Sequence, residues 1–480
     1  MEKQTKIIAT ISDKRCDVEF IRALYNEGMN VVRINSAHMD SEGFDLVIGN
    51  IRAVSNQIGI LIDTKGPEVR TTKSEAPIEI KTNDKIKIKG DPDMISSKEM
   101  IAVSYKDFVK DVNIGADILF DDGEINVRVL DKEEDYLLCA AQNDGILGSR
   151  KSVNVPGVSI KLPSLTEKDK RNILYAIDKK IDFIAHSFVR SKEDVIAIQQ
   201  ILDEHKSDIK IIAKIENQEG VDNADEILEY AYGLMIARGD LGIEVAQEKI
   251  PGIQRILIRK SVIAKKPVIV ATQMLHTMIN NPRPTRAEVI DIANAIFYRT
   301  DALMLSGETA YGKYPIESVR TMAKITAEAE KTKLKENDIK IPQHDENDIT
   351  SFLAKQAVDS MELLNTRAII TDSYTGTTAR HLAAYRGSCP ILAICYREHL
   401  IRQLSLSYGV TPIYQEAKED TRHYFFSALK MLIENGYLKF GDKVAYLSGS
   451  QNIGGGTTFL EINSIDNIFS NQKEYLLPNF

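Results

Sequence analysis

Tryptophan is absent from all 480 residues, so no ligand contact in this chain runs through an indole. Cysteine is scarce. Cys16, Cys139, Cys389 and Cys395 show neither CxxC spacing nor a disulfide framework, which excludes a thiolate metal site and suits a reducing compartment. No apolar run reaches the roughly 18 residues of a membrane helix, and the start MEKQTKIIAT lacks the layout of a secretion signal. Basic residues are not in excess either. The 61 Lys and Arg stand against 69 Asp and Glu, a net charge of −8, and nothing points to nucleic acid. There is no GxxxxGK[ST] phosphate loop and no Ser-His-Asp or Cys-His arrangement. The expectation is a soluble, mildly acidic, cytoplasmic protein of about two to four domains with no membrane partner.

What is present begins with two apolar runs that end in charge. IIAKIENQEG carries Lys214 and Glu216, and LMIARGDLG carries Asp240. Six further short aliphatic runs read as buried strands: KIIATIS, NVVRINS, GILIDT, DFIAHSF, PVIVATQ and DALMLSG. Helical patterns such as DVEFIRALYNEG and RAEVIDIANAIFY separate most of them. Eight strand–helix repeats imply a (β/α)8 TIM barrel, with a doubly wound sheet as the competing layout. From Thr71 to about Pro156 the period changes to two. Ile78, Ile80, Ile86 and Ile88 alternate with polar residues across a TND turn, and a Asp-Gly turn precedes Ile125. This predicts an inserted all-β lid domain over 71–156, within a catalytic barrel of 1–70 and 157–340. After a charged linker, a second α/β rhythm predicts a C-terminal α/β domain over 345–480.

The strand ends are polar or small throughout: Ser12, Arg33 with Asn35, Asp63 with Thr64, Ser187, Lys214 with Glu216, Arg238 with Asp240, Thr272 with Gln273, and Ser306 with Glu308. In a parallel α/β barrel the chemistry sits at this rim. Glu216 and Asp240 are candidate ligands of Mg²⁺, which takes one or two protein carboxylates beside water and substrate oxygens. The plainer reading is that Glu216 only pairs with Lys214, two residues away on one strand face. Gly239 and Gly242 let backbone amides approach an anion. Lys214 and Arg33 bring positive charge to a phosphoryl group in transfer. Arg70 joins them or is a surface arginine. Asn35, Asp63 and Thr64 are oxygen donors for a monovalent cation or for the rim itself. Thr272 and Ser306 offer hydroxyls for a proton relay. His38 and His186 are lone histidines of structural type. In the last domain, Thr375, Gly376, Thr377 and Thr378 join a strand to a helix, and the GSQNIGGGTT stretch lies downstream. Together they suit a phosphorylated effector.

Several strings then carry a resemblance: DTKGPEVR (Asp63–Arg70), KIENQEGVDN (Lys214–Asn223), ARGDLG (Ala237–Gly242), ATQML (Ala271–Leu275), NPRPTRAE (Asn281–Glu288) and MLSGETA (Met304–Ala310). In this order and spacing the chain resembles the pyruvate kinase family along nearly its whole length. The resemblance implies phosphoryl transfer from phosphoenolpyruvate to ADP, giving pyruvate and ATP, in a homotetramer with an effector domain. It assigns Mg²⁺ or Mn²⁺ to Glu216 and Asp240, the transition-state lysine to Lys214, and the transferring group to Arg33. Gly239, Asp240 and Thr272 would hold the substrate carboxylate. Asn35, Asp63 and Thr64 match K⁺ ligands, Glu68 matches the acidic residue of K⁺-dependent members, and Arg70, His38 and Lys151 match positions near the nucleotide. The family's potassium-shell serine is Ala37 here, Ser12 replaces a glycine near the first strand, and Ser152 stands where glycine is usual. None of these removes a divalent-metal ligand, Lys214 or Arg33, so an active enzyme is expected. The alternatives are a metal-dependent carbon–carbon lyase of pyruvate-like enolates and an inactive sugar-phosphate-binding paralogue.

Overall fold

The structure, a computed structural model, describes residues 3–36, 39, 41–333, 339–342, 347–416, 424–449 and 456–475. Ala37 and His38, much of the charged linker and positions 450–455 of the glycine-rich stretch lie outside the described residues. The KIIAT and GLMIA runs are buried at every position, as strands covered on both faces must be. Eight such strands pair in parallel and in chain order. They run Lys6–Thr10, Val31–Asn35, Gly59–Asp63, Phe183–His186, Lys210–Ile215, Gly233–Ala237, Val268–Ala271 and Ala302–Leu305. The first pairs with both the second and the last, so the sheet closes into a barrel, and the doubly wound layout is excluded. Alternation divides the core. Ile8, Leu61, Phe183, Ile212 and Met235 fill the interior, while Ile7, Ile60, Ile211 and Ile236 pack outward against the helices.

The insertion follows the third strand. Six of its strands form one sheet, and a separate pair joins Ile78–Ile80 to Gly145–Leu147. The isoleucine runs on either side of the Thr82-Asn83-Asp84 turn therefore enter different sheets. Asp144 accepts from the Thr82 backbone at 2.7 Å and hydroxyl at 2.6 Å, while Asn83 turns the chain at φ +71°. The Asp-Gly turn joins the antiparallel strands Asp117–Phe120 and Ile125–Lys132. Asp121, Asp122 and Gly123 all have positive φ there. One helical turn, Phe108–Asp111, interrupts the all-β character of the insertion.

Among the described residues the C-terminal sheet has five strands. Val410–Tyr414, Ile391–Cys395, Ala368–Ser373 and Lys443–Ser448 are parallel, and Phe459–Ser464 adds an antiparallel edge. This last strand and the helix Ile465–Tyr475 extend the rhythm beyond the four strands legible in the sequence. The unit docks on the barrel's floor. Leu406 enters the barrel's interior cluster, Arg402 pairs with Asp182 at 2.6 Å, and Arg386 pairs with Asp301 at 2.6 Å. Gly59 is required there, because a Cβ would lie 2.7 Å from Ser405 Oγ. Among the described residues no helix is long and apolar enough to cross a membrane.

Candidate active site

Parallel register brings Asn35 beside Asp63, and Asp63 beside Ala185, so three consecutive strands end at one height on the rim. Lys214, near the end of its strand, makes three polar contacts. Its Nζ lies 2.9 Å from Glu216 Oε1 and 3.2 Å from Asp63 Oδ2, and it donates to Ser187 Oγ at 2.9 Å. Arg33 grips the same aspartate, with Nε to Oδ1 at 3.1 Å and Nη2 to Oδ2 at 2.6 Å. Asp63 thus links both cations, and the side chain is only 4% exposed.

Burial alone would raise the Asp63 carboxyl, but Arg33 and Lys214 outweigh it and hold the group below the usual carboxylate range. Burial would likewise lower Lys214, yet Asp63 and Glu216 keep it above its ordinary value. Both cations are therefore fully charged at neutral pH. Glu216 goes the other way. Burial raises its carboxyl against the pull of Lys214, and the negative charge of Asp240 adds to the rise. Two carboxylates thus repel each other across the rim beside a lysine. Glu216 Oε2 also accepts from the Phe188 amide at 2.7 Å. Phe188 has φ +57°, a costly conformation for a side chain of this size, and it turns that N–H toward the site.

Asp240 is half-buried in the short helix Arg238–Glu244, which follows the sixth barrel strand. Its neighbour Arg238 does not face the rim as a free cation. Nη1 pairs with Asp291 at 2.7 Å, and Nη2 donates to the Thr272 carbonyl at 2.6 Å. That bond steadies Thr272, which has φ +67°. The Thr272 hydroxyl accepts from the Gly239 amide at 2.8 Å. Among the described residues the buried Ser306 hydroxyl has no hydrogen-bond partner. Glu308 fixes its backbone, accepting from Ser306 N at 2.8 Å and from Leu275 N at 3.2 Å.

Thr64 is occupied within the rim. Its Oγ1 lies 3.1 Å from His186 Nδ1 and accepts from Ser187 N at 2.9 Å. Burial pushes His186 down to about 4, so it is a neutral structural histidine. Asn35 is half-buried at the end of its strand. Arg70 and Lys151 lie on adjacent segments, with Thr71 N bonded to the Lys151 carbonyl at 2.8 Å. Arg70 pairs with Glu68 at 2.7 Å, and Lys151 with Asp121 at 2.7 Å. In the C-terminal unit, Gly376 has φ +80° at the start of the helix Thr377–Ala384. Thr378 Oγ1 lies 2.7 Å from Thr457 Oγ1, so the threonine-rich loop and the end of the glycine-rich stretch touch. Three partners escaped the sequence reasoning. Ser187 showed only as a polar strand end, while Phe188 and Asp291 carried no sequence signal at all.

Buried carboxylates that keep a lysine and an arginine charged on a barrel rim suit a phosphotransferase of the (β/α)8 class. Residues 2–319 match the family model described as pyruvate kinase, barrel domain, and residues 352–463 match pyruvate kinase, alpha/beta domain. The chain belongs to the pyruvate kinase family and transfers the phosphoryl group of phosphoenolpyruvate to ADP, giving pyruvate and ATP. It is 47% identical over 473 residues to the pyruvate kinase of Borreliella burgdorferi, covering 97% of this chain and 98% of that one. The Geobacillus stearothermophilus enzyme is 42% identical, with 98% of this chain and 82% of that one covered. A crystal structure of a pyruvate kinase from Cryptosporidium parvum superposes with a TM-score of 0.91 at 36% identity, covering 96% of both chains. Neither the lyase nor the silent paralogue finds support among these relatives.

Proposed function

We propose that the charged chain Arg33–Asp63–Lys214–Glu216 is the catalytic centre, with Asp240 completing its divalent-metal site. Pyruvate kinases need a divalent metal and potassium. Among the described residues no three His, Cys, Asp or Glu side chains form a metal cluster. Two carboxylates still fit Mg²⁺ or Mn²⁺, which fill their remaining positions with water and substrate oxygens. The mutual repulsion of Glu216 and Asp240 favours a cation between them. When bound, that cation neutralises charge on the phosphoryl and enolate oxygens.

Lys214 and Arg33 meet the transferring phosphoryl group, and Asp63 fixes their direction so that little reorganisation accompanies transfer. Gly239 and Asp240, with Thr272, hold the substrate carboxylate. Thr272 and Ser306 order the water that protonates the enolate, a role suited to the unpartnered Ser306 hydroxyl. Arg70, Lys151 and His38 receive the nucleotide, and Asn35, Asp63 and Thr64 hold K⁺. The Thr375–Thr378 loop binds a phosphorylated effector. We further infer a lid over 71–156, a C-terminal domain from 345, a homotetramer and a cytoplasmic location.

The decisive observation is that one buried carboxylate, Asp63, contacts both cations. Phosphoenolpyruvate-dependent ATP formation tests the assignment. Lys214→Met and Glu216→Ala should each lose about 10²–10³-fold or more in kcat. Near-normal turnover in both would sink the assignment of roles.

A further inference from the structure

At the barrel's floor, away from the rim, a cavity of about 260 Å³ remains between the docked C-terminal unit and the barrel. Lys210, Lys266 and Arg380 line it, together with Ser207, Tyr230 and Tyr232. Lys210 opens the fifth barrel strand, whereas Arg380 comes from the helix Thr377–Ala384 of the other unit. Three cations thus converge from two domains, and among the described residues none of them forms an ion pair. Asp208 is turned to His399, with Oδ2 3.8 Å from Nε2, and Glu229 acts on Lys266 only at longer range.

The three cations differ in what they have left to give. Lys266 is committed, because its ammonium donates to the Glu229 carbonyl at 3.1 Å, to Ala231 at 2.7 Å and to Leu228. Arg380 lies with Cζ 5.0 Å from the Tyr232 ring centre. It donates to the Thr375 carbonyl and Thr377 Oγ1, both at 3.3 Å. A guanidinium has five N–H groups, so three remain. Burial lowers the Lys210 amine, the negative charge of Asp208 opposes that, and the positive charge of Arg380 adds a smaller lowering; Lys266 is likewise lowered, by burial first and then by Arg380. Like charges held together at a half-buried interface cost free energy, and a dianion placed between them relieves that cost.

We propose that this interdomain cavity binds a small phosphate monoester, with the phosphate between Lys210 and Arg380 and the organic part against Tyr230 and Tyr232. Arginine and lysine are the side chains that hold phosphate oxygens best, and the tyrosine rings supply a wall for a polyol or sugar. This is a separate site from the Thr375–Thr378 loop, although Arg380 touches both.

Crystals of the full chain soaked in sodium tungstate, a phosphate mimic with anomalous signal, test the location directly. A peak within hydrogen-bonding distance of Lys210 and Arg380 is expected, and its absence when other sites are occupied overturns the proposal. In solution, inorganic phosphate is titrated while thermal unfolding is followed. Lys210→Gln should raise the phosphate concentration for half the effect at least tenfold, both in the wild-type chain and in Thr378→Ala, which disables the neighbouring loop. An unchanged titration in Lys210→Gln, or an effect lost only in Thr378→Ala, refutes the assignment.

Discussion

Asp63 grips Arg33 at two points, Nε to Oδ1 at 3.1 Å and Nη2 to Oδ2 at 2.6 Å, and the same carboxylate reaches Lys214 at 3.2 Å. Asp63→Asn preserves the shape and removes the charge, leaving two buried cations facing each other. Such a loss should destabilise the barrel by about 3–5 kcal/mol and lower kcat/KM by roughly a hundredfold or more. Urea unfolding and steady-state kinetics on one preparation check both. A variant as stable and active as the parent would show that Asp63 does not hold the pair.

The metal assignment predicts loss of activity on chelation and recovery with Mg²⁺ or Mn²⁺. Glu216→Gln still accepts from the Phe188 amide, so the fold should survive. The Mg²⁺ concentration for half-maximal rate should rise about tenfold or more. An unaltered Mg²⁺ titration would remove Glu216 from the metal site.

Thr272 separates two roles. Thr272→Ala deprives the Gly239 amide of its acceptor and removes the relay hydroxyl, whereas Thr272→Ser keeps both. Exchange of pyruvate methyl protons with D₂O, read by NMR, should slow roughly a hundredfold in the alanine variant and recover in the serine variant. Equal rates in all three would exclude a part in proton transfer.

Acid stability should be governed in part by His381. Burial first, and then the positive charge of Lys265, lower its pKa to about 4 from the ordinary value of 6.5. The unfolded chain therefore takes up a proton that the folded chain refuses between these values. The stability from the neutral imidazole is complete above pH 6.5 and is lost as pH falls toward 4, on the order of 3 kcal/mol in all. His381→Gln should flatten unfolding free energy across that window. A slope identical to wild type would assign the acid sensitivity elsewhere.

Fold and site were legible to different depths. Aliphatic runs at regular spacing announced eight strands, and polar residues at their ends marked the rim. Lys214 and Glu216 are two residues apart, so their contact of 2.9 Å followed from strand geometry alone. Asp63 is different. Its bonds to Arg33 and Lys214 depend on how strands far apart in the chain are staggered. The partition of Ile78–Ile80 and Lys85–Gly90 into separate sheets was hidden for a similar reason, since both runs have the same period-two pattern. Phe188 has no local signature, because its positive φ is imposed by the turn that carries its N–H to Glu216.

By itself the sequence determined the period of each element, the barrel class and the chemical types delivered to the rim, because these depend on side-chain identity and local spacing. Tertiary structure alone decided which charges from separate elements meet. It made Asp63 the link between Arg33 and Lys214, turned Arg238 toward Asp291, and set Lys210 beside Arg380 from another domain. Closure of the barrel and docking of the C-terminal unit fix those distances, and burial then sets how strongly each charge is felt.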